Sequence, residues 1–450
     1  MHGAQDRGRD RPGAQLPHVP LRTRLDERLG AATAQTAYPS YRARILTLKP
    51  FQVKGESRRQ TMAANSIAGL YFTRLRLENW CNFSNVHVDL TRRIFVVGPN
   101  ASGKSNFLDA FRFLHQIVSV GGGLQQAVRD RGGVKCLRCL AARQYPSITV
   151  EVAIGSEETP RLWEYEITFN QDQQQRLGIR KERVSKKGVK IVERPDQEDG
   201  SDPARLTQTY LEQIQANRDF REVADFLQRL NYLHVLPQII RDPERYRGGK
   251  EDPYGGDFLD RIAGTNKNIQ RGRLRRIQKA LQVAVPQLQS LEIKRDDRGR
   301  PHLRGKYEHW RPQGAWQDEA QFSDGTLRLM GLLWALLDGR GPLLLEEPEL
   351  SLHPDVVRFI PEMFARVQRQ SQNRRQIMLS THSSDLLRGE GIGIDEVLLL
   401  LPSSEGTQVQ PASDFQEVRI LLEQGMSMAE AVIPKTRPEK AHQLPLFPDL

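Results

Sequence analysis

Eight consecutive residues, Gly98-Pro-Asn-Ala-Ser-Gly-Lys-Ser105, match the phosphate-binding pattern G-x-x-x-x-G-K-[ST]. They lie between an apolar run at residues 94–97 and helically spaced apolar residues at 106–120, which predicts a strand, a turn and a helix. In that setting the backbone N–H groups of the turn and the positive end of the helix converge on phosphate. Lys104 is expected to hold the β and γ phosphates and Ser105 to ligate Mg²⁺. The predicted cofactor-binding residues are Gly98, Pro99, Asn100, Ala101, Ser102, Gly103, Lys104, Ser105 and Asn106.

Polar side chains also follow two apolar runs in the second half of the chain. Glu346 and Glu347 end the run at 343–345, an arrangement that brings one acid near a metal ion and the next near an attacking water. His382 follows the run at 377–379, and the carboxyl ends of parallel strands are the ligand-binding edge of an α/β sheet. Combined with the loop at 98–105, these residues predict a site for ATP and Mg²⁺ with Glu347, His382 and Lys104 as its catalytic residues.

The elements that would position these residues fall into two types. Alternating apolar residues predict antiparallel strands near the start and at 148–154 and 163–169, followed by a hairpin and loop at 170–203. Helical spacing recurs at 204–230 and 273–285, and after residue 327 helices and strands alternate as in a parallel α/β unit. We expect an α/β fold with a mixed or parallel sheet, an antiparallel β subdomain, a helical insertion and no long coiled coil.

The predicted organisation has five parts. They are a disordered basic extension at 1–67, a first ATPase lobe at 68–203, a helical insertion with return strands at 204–320, a second lobe at 321–433 and a loose tail at 434–450. Residues 1–64 carry a net charge of +7 of the total +11, so they are either a basic arm or a segment preceding a true start at Met62; we favour the start at Met62. An apolar leader and a membrane-length apolar run are both missing from the sequence, so we expect a cytoplasmic protein without a membrane partner.

Two further clusters carry competing interpretations. Cys136 and Cys139 form one C-x-x-C, which with His115 would supply three of the four ligands of a zinc site; ordinary reduced cysteines are the favoured interpretation. Basic clusters at 241–245 and 271–276 could contact a phosphate backbone, but such clusters are more often solvated faces. DNA binding is therefore open at this stage.

Residues 322–329, Phe-Ser-Asp-Gly-Thr-Leu-Arg-Leu, resemble the signature of ABC-type ATPases in the form found in the RecF/SMC branch. The loop at 98–105, the sequence Glu346-Glu-Pro-Glu349, a D-loop at 351–354 and a switch histidine in 380–383 occur in the order of that family. Within the branch, the chain is similar to compact RecF-like ATPases of bacteria, including the segment 122–133. The resemblance extends over about residues 70–425.

This resemblance implies a P-loop NTPase of the ABC type that forms a head-to-tail homodimer around ATP. The signature residues Ser323, Asp324, Gly325 and Thr326 would cap the nucleotide held by the other chain. Glu347 would polarise the attacking water, and Glu346 would bind Mg²⁺. Many members of the family have Asp where this chain has Glu346, so which of the two acids takes which role is open. Ala101 stands where the branch often has glycine. A Q-loop glutamine is not evident; Gln144 and Gln238 are poor candidates.

Three functions agree with the resemblance to different degrees. The first is an ATP-driven protein of DNA repair, DNA maintenance or defence against phage or plasmids. The second is a nucleotide-gated scaffold that controls a separate effector protein without a direct role on DNA. A transporter ATPase subunit is disfavoured, because 219 residues separate Lys104 from Ser323 and include a helical insertion.

Overall fold

The computed structural model describes residues 67, 69–142, 146–242, 252–310, 314–339, 341–370 and 374–437. Four parts of the sequence predictions lie outside the described residues: residues 1–66 of the basic extension predicted at 1–67, Met62, Gln144, and residues 438–450 of the predicted tail. None of the described helices combines the length and the apolarity that a membrane crossing requires.

The first half of the chain forms strands and helices in the following order. They are β1 (Tyr71–Trp80), β2 (Phe83–Asp89), β3 (Arg93–Val97), α1 (Lys104–Val118), α2 (Leu124–Arg129), α3 (Val134–Leu137), β4 (Ile148–Gly155), β5 (Trp163–Gln171), β6 (Leu177–Lys186), β7 (Val189–Arg194), α4 (Gln197–Ser201) and α5 (Arg221–Gln228). Six of these strands form an antiparallel sheet in the order β2-β1-β4-β5-β6-β7. The predicted antiparallel strands and the hairpin after residue 170 are thus confirmed.

The second half alternates helices and strands. It contains β8 (Asn231–Leu233), α6 (Pro237–Arg241), α7 (Phe258–Gly264), α8 (Lys267–Leu281), β9 (Leu288–Arg295), β10 (Pro301–Tyr307), β11 (Ala315–Asp318), α9 (Asp324–Leu337), β12 (Leu343–Glu346), α10 (Pro354–Val357), α11 (Ile360–Gln370), β13 (Ile377–Thr381), α12 (Ser384–Leu387), β14 (Val397–Leu401), β15 (Gln408–Pro411), α13 (Gln416–Glu423) and α14 (Met428–Thr436). Strands β9, β10 and β11 form a separate three-stranded sheet beside α7 and α8.

A six-stranded mixed sheet positions the predicted site. Its order is β15-β14-β3-β13-β12-β8, and all its neighbours are parallel except β14 and β15. Alternate residues of β3 enter opposite cores: Ile94 and Val96 pack with the antiparallel sheet and α1, whereas Phe95 and Val97 pack with α9 and β12. Burial of both faces explains why the parallel strands are continuous apolar runs. Their carboxyl ends meet at one edge of the sheet.

The segment at 204–230 is not the continuous helix that its spacing predicted. Only Arg221–Gln228 is α-helical, after short 3₁₀ turns at Pro203–Thr207 and Arg218–Phe220. The buried guanidinium of Arg194 accounts for the difference, because it donates to the carbonyl oxygens of Arg205 and Gln208, both at 2.9 Å. The two carbonyl oxygens therefore accept hydrogen bonds from a distant side chain in place of the amides of a continuous α-helix.

Two other predicted elements also differ from the structure. The helix expected at 355–368 is two helices, α10 and α11, and Arg358 ends the first of them. Residues 434–436 of the predicted loose tail are helical instead, because α14 continues through Pro434 to Thr436 and buries Ala429 and Val432. Burial of this apolar face supplies the stabilisation that proline removes from a helix interior.

Candidate functional site

The loop at 98–105 connects β3 to α1 at the edge where the parallel strands end. The ammonium of Lys104 donates to the carbonyl oxygens of Gly98 and Pro99, both at 3.0 Å. Helix α1 has neither a capping side chain nor an acidic residue in its first turn, so its N-terminal amides are available to an anion. The loop therefore has the donors that a phosphate group requires.

Two left-handed residues shape this loop. Gly103 has φ 95° and lies against Asn82, whose side chain would be 2.1 Å from an added Cβ. Ala101 has φ 63°, a left-handed conformation that costs a residue with a Cβ about 1 kcal/mol. Asn82 holds the turn by donating to the carbonyl of Ser102 at 2.7 Å and accepting from Asn106 at 3.0 Å.

The charges of three carboxylates act on the buried Lys104. Burial is the largest influence on its pKa and lowers it, while Glu347, Glu349 and Glu346 raise it in that order. The site therefore holds a partly desolvated cation whose interaction with phosphate is strengthened by the low local dielectric.

Glu346 links the end of β12 to the loop. Its Oε1 accepts a hydrogen bond from the hydroxyl of Ser105, its Oε2 accepts one from Tyr232, and its carbonyl lies 3.3 Å from Nδ1 of His234. A hydroxyl and a carboxylate are oxygen ligands that suit Mg²⁺, which takes only one or two of these from a protein and the rest from water and phosphate. Among the described residues no group of three or more His, Cys, Asp or Glu could hold a metal ion. The residues fit Mg²⁺ bound together with a nucleotide.

Glu347 and His382 meet at the same edge. Nδ1 of His382 lies 3.1 Å from Oε1 of Glu347, and the amide of Glu347 donates to the carbonyl of Ser380 at 3.1 Å. Glu347 has φ 42°, so its backbone is held in a conformation that β12 could not continue. This turn directs the carboxylate of Glu347 toward His382, just beyond the end of β13.

The signature residues begin α9. Ser323 is its N-cap and accepts from the amide of Thr326 at 3.2 Å, while Asp324 pairs with Arg241 at 2.6 Å. Gly325 has no room for a side chain, because an added Cβ would lie 2.5 Å from the carbonyl oxygen of Ser351. Within the described part of the chain, no hydrogen bond or ion pair joins residues 323–326 to residues 98–106.

The structure thus brings together residues 98–106, Glu346, Glu347 and His382, but leaves Ser323, Asp324, Gly325 and Thr326 in a separate group. Sequence reasoning missed Asn82, Tyr232 and His234, and it placed Arg241 in a basic cluster that could contact a phosphate backbone, whereas Arg241 pairs with Asp324. The only sequence signal for Tyr232 and His234 is their alternation along and just beyond β8, a strand of three residues that is too short for its spacing to be recognised. Gln238, a poor Q-loop candidate, lies 3.4 Å from Asp324.

The cysteines make no metal cluster among the described residues. All three are free; Cys81 is partly buried, Cys136 exposed and Cys139 buried. His115, the third ligand of the zinc alternative, has its Nδ1 2.9 Å from the carbonyl of Leu227. Reduced thiols remain the favoured interpretation.

The α/β fold, the phosphate-binding loop and the two acids at the end of β12 together form the architecture of a P-loop nucleotide-binding domain. The family model described as "AAA domain, putative AbiEii toxin, Type IV TA system" matches residues 93–388, and the chain belongs to this family. A search of curated proteins found no match.

Solved structures of SMC heads are among the similar folds. The SmcHead bound to the C-winged helix domain of ScpA is 15% identical, with a TM-score of 0.48, and the match covers 76% of this chain and 97% of that one. An Smc head with an extended coiled coil bound to the C-terminal domain of ScpA, from Pyrococcus furiosus, is 12% identical, with a TM-score of 0.45 and coverages of 79% and 100%. The SMC head domain from Thermotoga maritima is 14% identical, with a TM-score of 0.39 and coverages of 76% and 98%.

Proposed function

We propose that the protein binds ATP with Mg²⁺, hydrolyses it, and forms a homodimer around the nucleotide. The observation that carries this proposal is the convergence of Lys104, Ser105, Glu346, Glu347 and His382 at one sheet edge. Lys104 would exchange its bonds to the loop carbonyls for the β and γ phosphates. Ser105 and Glu346 would hold Mg²⁺, which neutralises phosphate charge during transfer.

Hydrolysis requires a positioned water, and Glu347 is the group suited to polarise it. His382 lies 3.1 Å from this carboxylate, so it would orient Glu347 and contact the γ-phosphate. The charge of Glu347 also raises the pKa of Lys104, so this acid favours the ammonium form of the lysine.

The separation of the signature from its own loop supports capping by a second chain. Ser323 is exposed at the start of α9, where the amides of the first turn form a positive helix end. Such an end is a second phosphate-binding surface that the same chain's residues 98–106 do not use. A head-to-tail dimer would bring each signature to the γ-phosphate of the other chain and complete two sites.

For the biological setting, we infer a cytoplasmic role on DNA, in repair and maintenance or in defence against phage or plasmids. The description of the family refers to a type IV toxin–antitoxin system, which favours defence. The second candidate, a nucleotide-gated scaffold for a separate effector, uses the same dimer and would be favoured by copurification of a second protein.

Two variants test the ATPase proposal. Lys104→Ala should abolish ATP binding, since the ammonium is lost, whereas Lys135→Ala removes an exposed lysine on α3 and should leave binding unchanged. Glu347→Gln should bind ATP, hydrolyse it about a hundredfold more slowly and accumulate as a dimer in light scattering. Normal ATP affinity in Lys104→Ala, or a Glu347→Gln protein that stays monomeric with saturating ATP and Mg²⁺, would contradict the proposal.

A further inference from the structure

Helix α8 carries an unusual concentration of positive charge. Its fifteen residues include six lysines and arginines and not one acidic residue. Leu274, Ile277 and Leu281 form its buried face, while five of the six cations are exposed. These five, which we call the α8 basic row, are Lys267, Arg271, Arg275, Arg276 and Lys279.

The α8 basic row differs from the cations around Glu166 on the antiparallel sheet, because those cations are paired with an acid. Within the described residues, none of its five members has an ion-pair partner. On the antiparallel sheet, by contrast, Lys181 and Arg183 lie 2.9 and 3.0 Å from Glu166. The sheet neutralises its cations internally, whereas α8 presents its cations to solvent.

The placement of these charges opposes the stability of the helix. Lys267, Arg271, Arg275 and Lys279 recur at every fourth residue, so like charges are neighbours along one side. Lys267 and Arg271 also lie near the positive end of the helix, where acidic residues would be favourable. Gly272 further weakens the helix because glycine loses more backbone entropy than other residues. Packing does not require a glycine here, since an added Cβ would have no atom within 4 Å. An external polyanion would relieve the repulsion, and glycine would let its backbone approach closely.

We propose that the α8 basic row binds the phosphate backbone of duplex DNA, a proposal that rests on the inferred role of the protein on DNA. The row from Lys267 to Lys279 extends over about 18 Å, at about 1.5 Å per residue. Duplex DNA presents one negative charge per about 1.7 Å of its axis, so the row faces enough phosphates to occupy every cation. Contacts of this kind fix the position of a protein on DNA without reading its sequence.

Helix α8 is also connected to the helix that carries the signature. The sixth cation, Arg273, is turned inward and lies 2.7 Å from Asp338, at the C-terminal end of α9, with its guanidinium 5.1 Å from the ring centre of Trp334. Asp338 also pairs with Arg261 of α7 at 2.9 Å. DNA on the basic row would therefore contact a helix that is anchored to the signature helix α9.

The test compares two variants of the full chain that lose the same number of charges. The first is Lys267→Gln, Arg271→Gln, Arg275→Gln and Lys279→Gln; glutamine retains helix propensity. The control neutralises four exposed cations that have acidic partners: Arg176→Gln, Lys190→Gln, Arg366→Gln and Arg388→Gln. Binding of a labelled mixed-sequence duplex of about 30 base pairs is measured by anisotropy between about 50 and 250 mM salt.

For the α8 variant we expect the affinity to fall by about tenfold or more at physiological salt, and the slope of log K against log salt to decrease by about three to four. The double variant Arg271→Gln, Arg275→Gln should lose about half of that slope, and the control should retain wild-type binding. An unchanged slope in the α8 variant, or an equal loss in the control, would overturn the proposal. So would binding of polyglutamate without binding of DNA, since it would indicate an acidic protein partner.

ATP binding is measured on the same samples, so that a failure of the DNA-binding proposal can be distinguished from a failure of the ATP-binding proposal. The α8 variant should bind ATP as the wild type does, because α8 contributes no residue to the site at 98–106. Circular dichroism tests whether the helical content of the variant matches that of the wild type. Loss of DNA binding with intact ATP binding supports the α8 interface; loss of ATP binding in Lys104→Ala tests the nucleotide site alone.

Discussion

Arg241 and Asp324 form an ion pair of 2.6 Å at the first residue of α9, within the segment that resembles an ABC signature. The same guanidinium donates to the carbonyl of Phe322 at 2.6 Å, so it holds both sides of Ser323. A signature with an unpaired carboxylate would repel the γ-phosphate that it is proposed to cap. Arg241 therefore offsets a charge that the sequence motif introduces.

Replacing Arg241 by methionine should leave the carboxylate of Asp324 free to repel the γ-phosphate. With the carboxylate of Asp324 uncompensated, we expect ATP turnover to fall by about tenfold or more, while ATP binding to the monomer is unchanged. The double variant Arg241→Met, Asp324→Asn removes both charges and should recover much of the turnover. A steady-state ATPase assay of Arg241→Met, Asp324→Asn and the double variant gives the coupling energy. A double variant as inactive as Arg241→Met would show that the charge of Asp324 is not the cause.

Tyr232 is expected to orient the metal-binding carboxylate. The hydroxyl of Tyr232 donates to Oε2 of Glu346, while Oε1 of Glu346 accepts from Ser105. Burial is the largest cause that raises the pKa of Tyr232, so its hydroxyl keeps the proton that it donates. Tyr232→Phe should raise the Mg²⁺ concentration that gives half-maximal ATPase activity by about tenfold, as loss of a supporting hydrogen bond at a metal site typically does. Tyr307→Phe, remote on β10, is the matched control. An identical Mg²⁺ dependence in the two variants would argue against this role.

Cys81 should resist alkylation in the native protein. Burial raises its pKa to about 12, so at pH 8 only about one molecule in ten thousand carries the reactive thiolate. The reactivity of Cys81 should rise with pH until about 12, and unfolding should abolish its protection. Iodoacetamide labelling followed by peptide mass spectrometry measures it, with the exposed Cys136 as the internal reference. Equal labelling of both cysteines at pH 8 would contradict the burial of Cys81.

The parts of the site that could be predicted from sequence are continuous segments. The loop at 98–105 and the pair Glu346 and Glu347 each carry their chemistry in adjacent residues, so the pattern alone predicts strand, turn and acid. Tyr232 and Glu346 are 114 residues apart, and Arg241 and Phe322 are 81 apart; these contacts exist only after β8 pairs with β12 and α6 packs beside α9. The same limit explains the wrong helix at 204–230, where a buried arginine outside the segment determines the backbone.

The capping of ATP by a second chain is the most demanding prediction. The structure makes Gly325 a poor position for its test, because any side chain there would collide with Ser351 of the same chain. Ser323 is better: it is exposed and serves as the N-cap of α9, a role that aspartate and asparagine fill equally well. Ser323→Asp keeps the cap and adds a negative charge, and Ser323→Asn keeps the cap without it.

If the signature acts in the second chain, Ser323→Asp should bind ATP normally as a monomer but lose about a hundredfold or more in turnover, because its carboxylate would face the γ-phosphate. Ser323→Asn should lose far less. Mixing Ser323→Asp with Lys104→Ala then produces heterodimers in which one composite site is intact, while each homodimer has none. An equal mixture should recover about a quarter of wild-type activity if the two sites act independently. An inactive mixture of chains that do form dimers would require the sites to act together, whereas normal turnover by Ser323→Asp alone would remove the signature from the proposed mechanism.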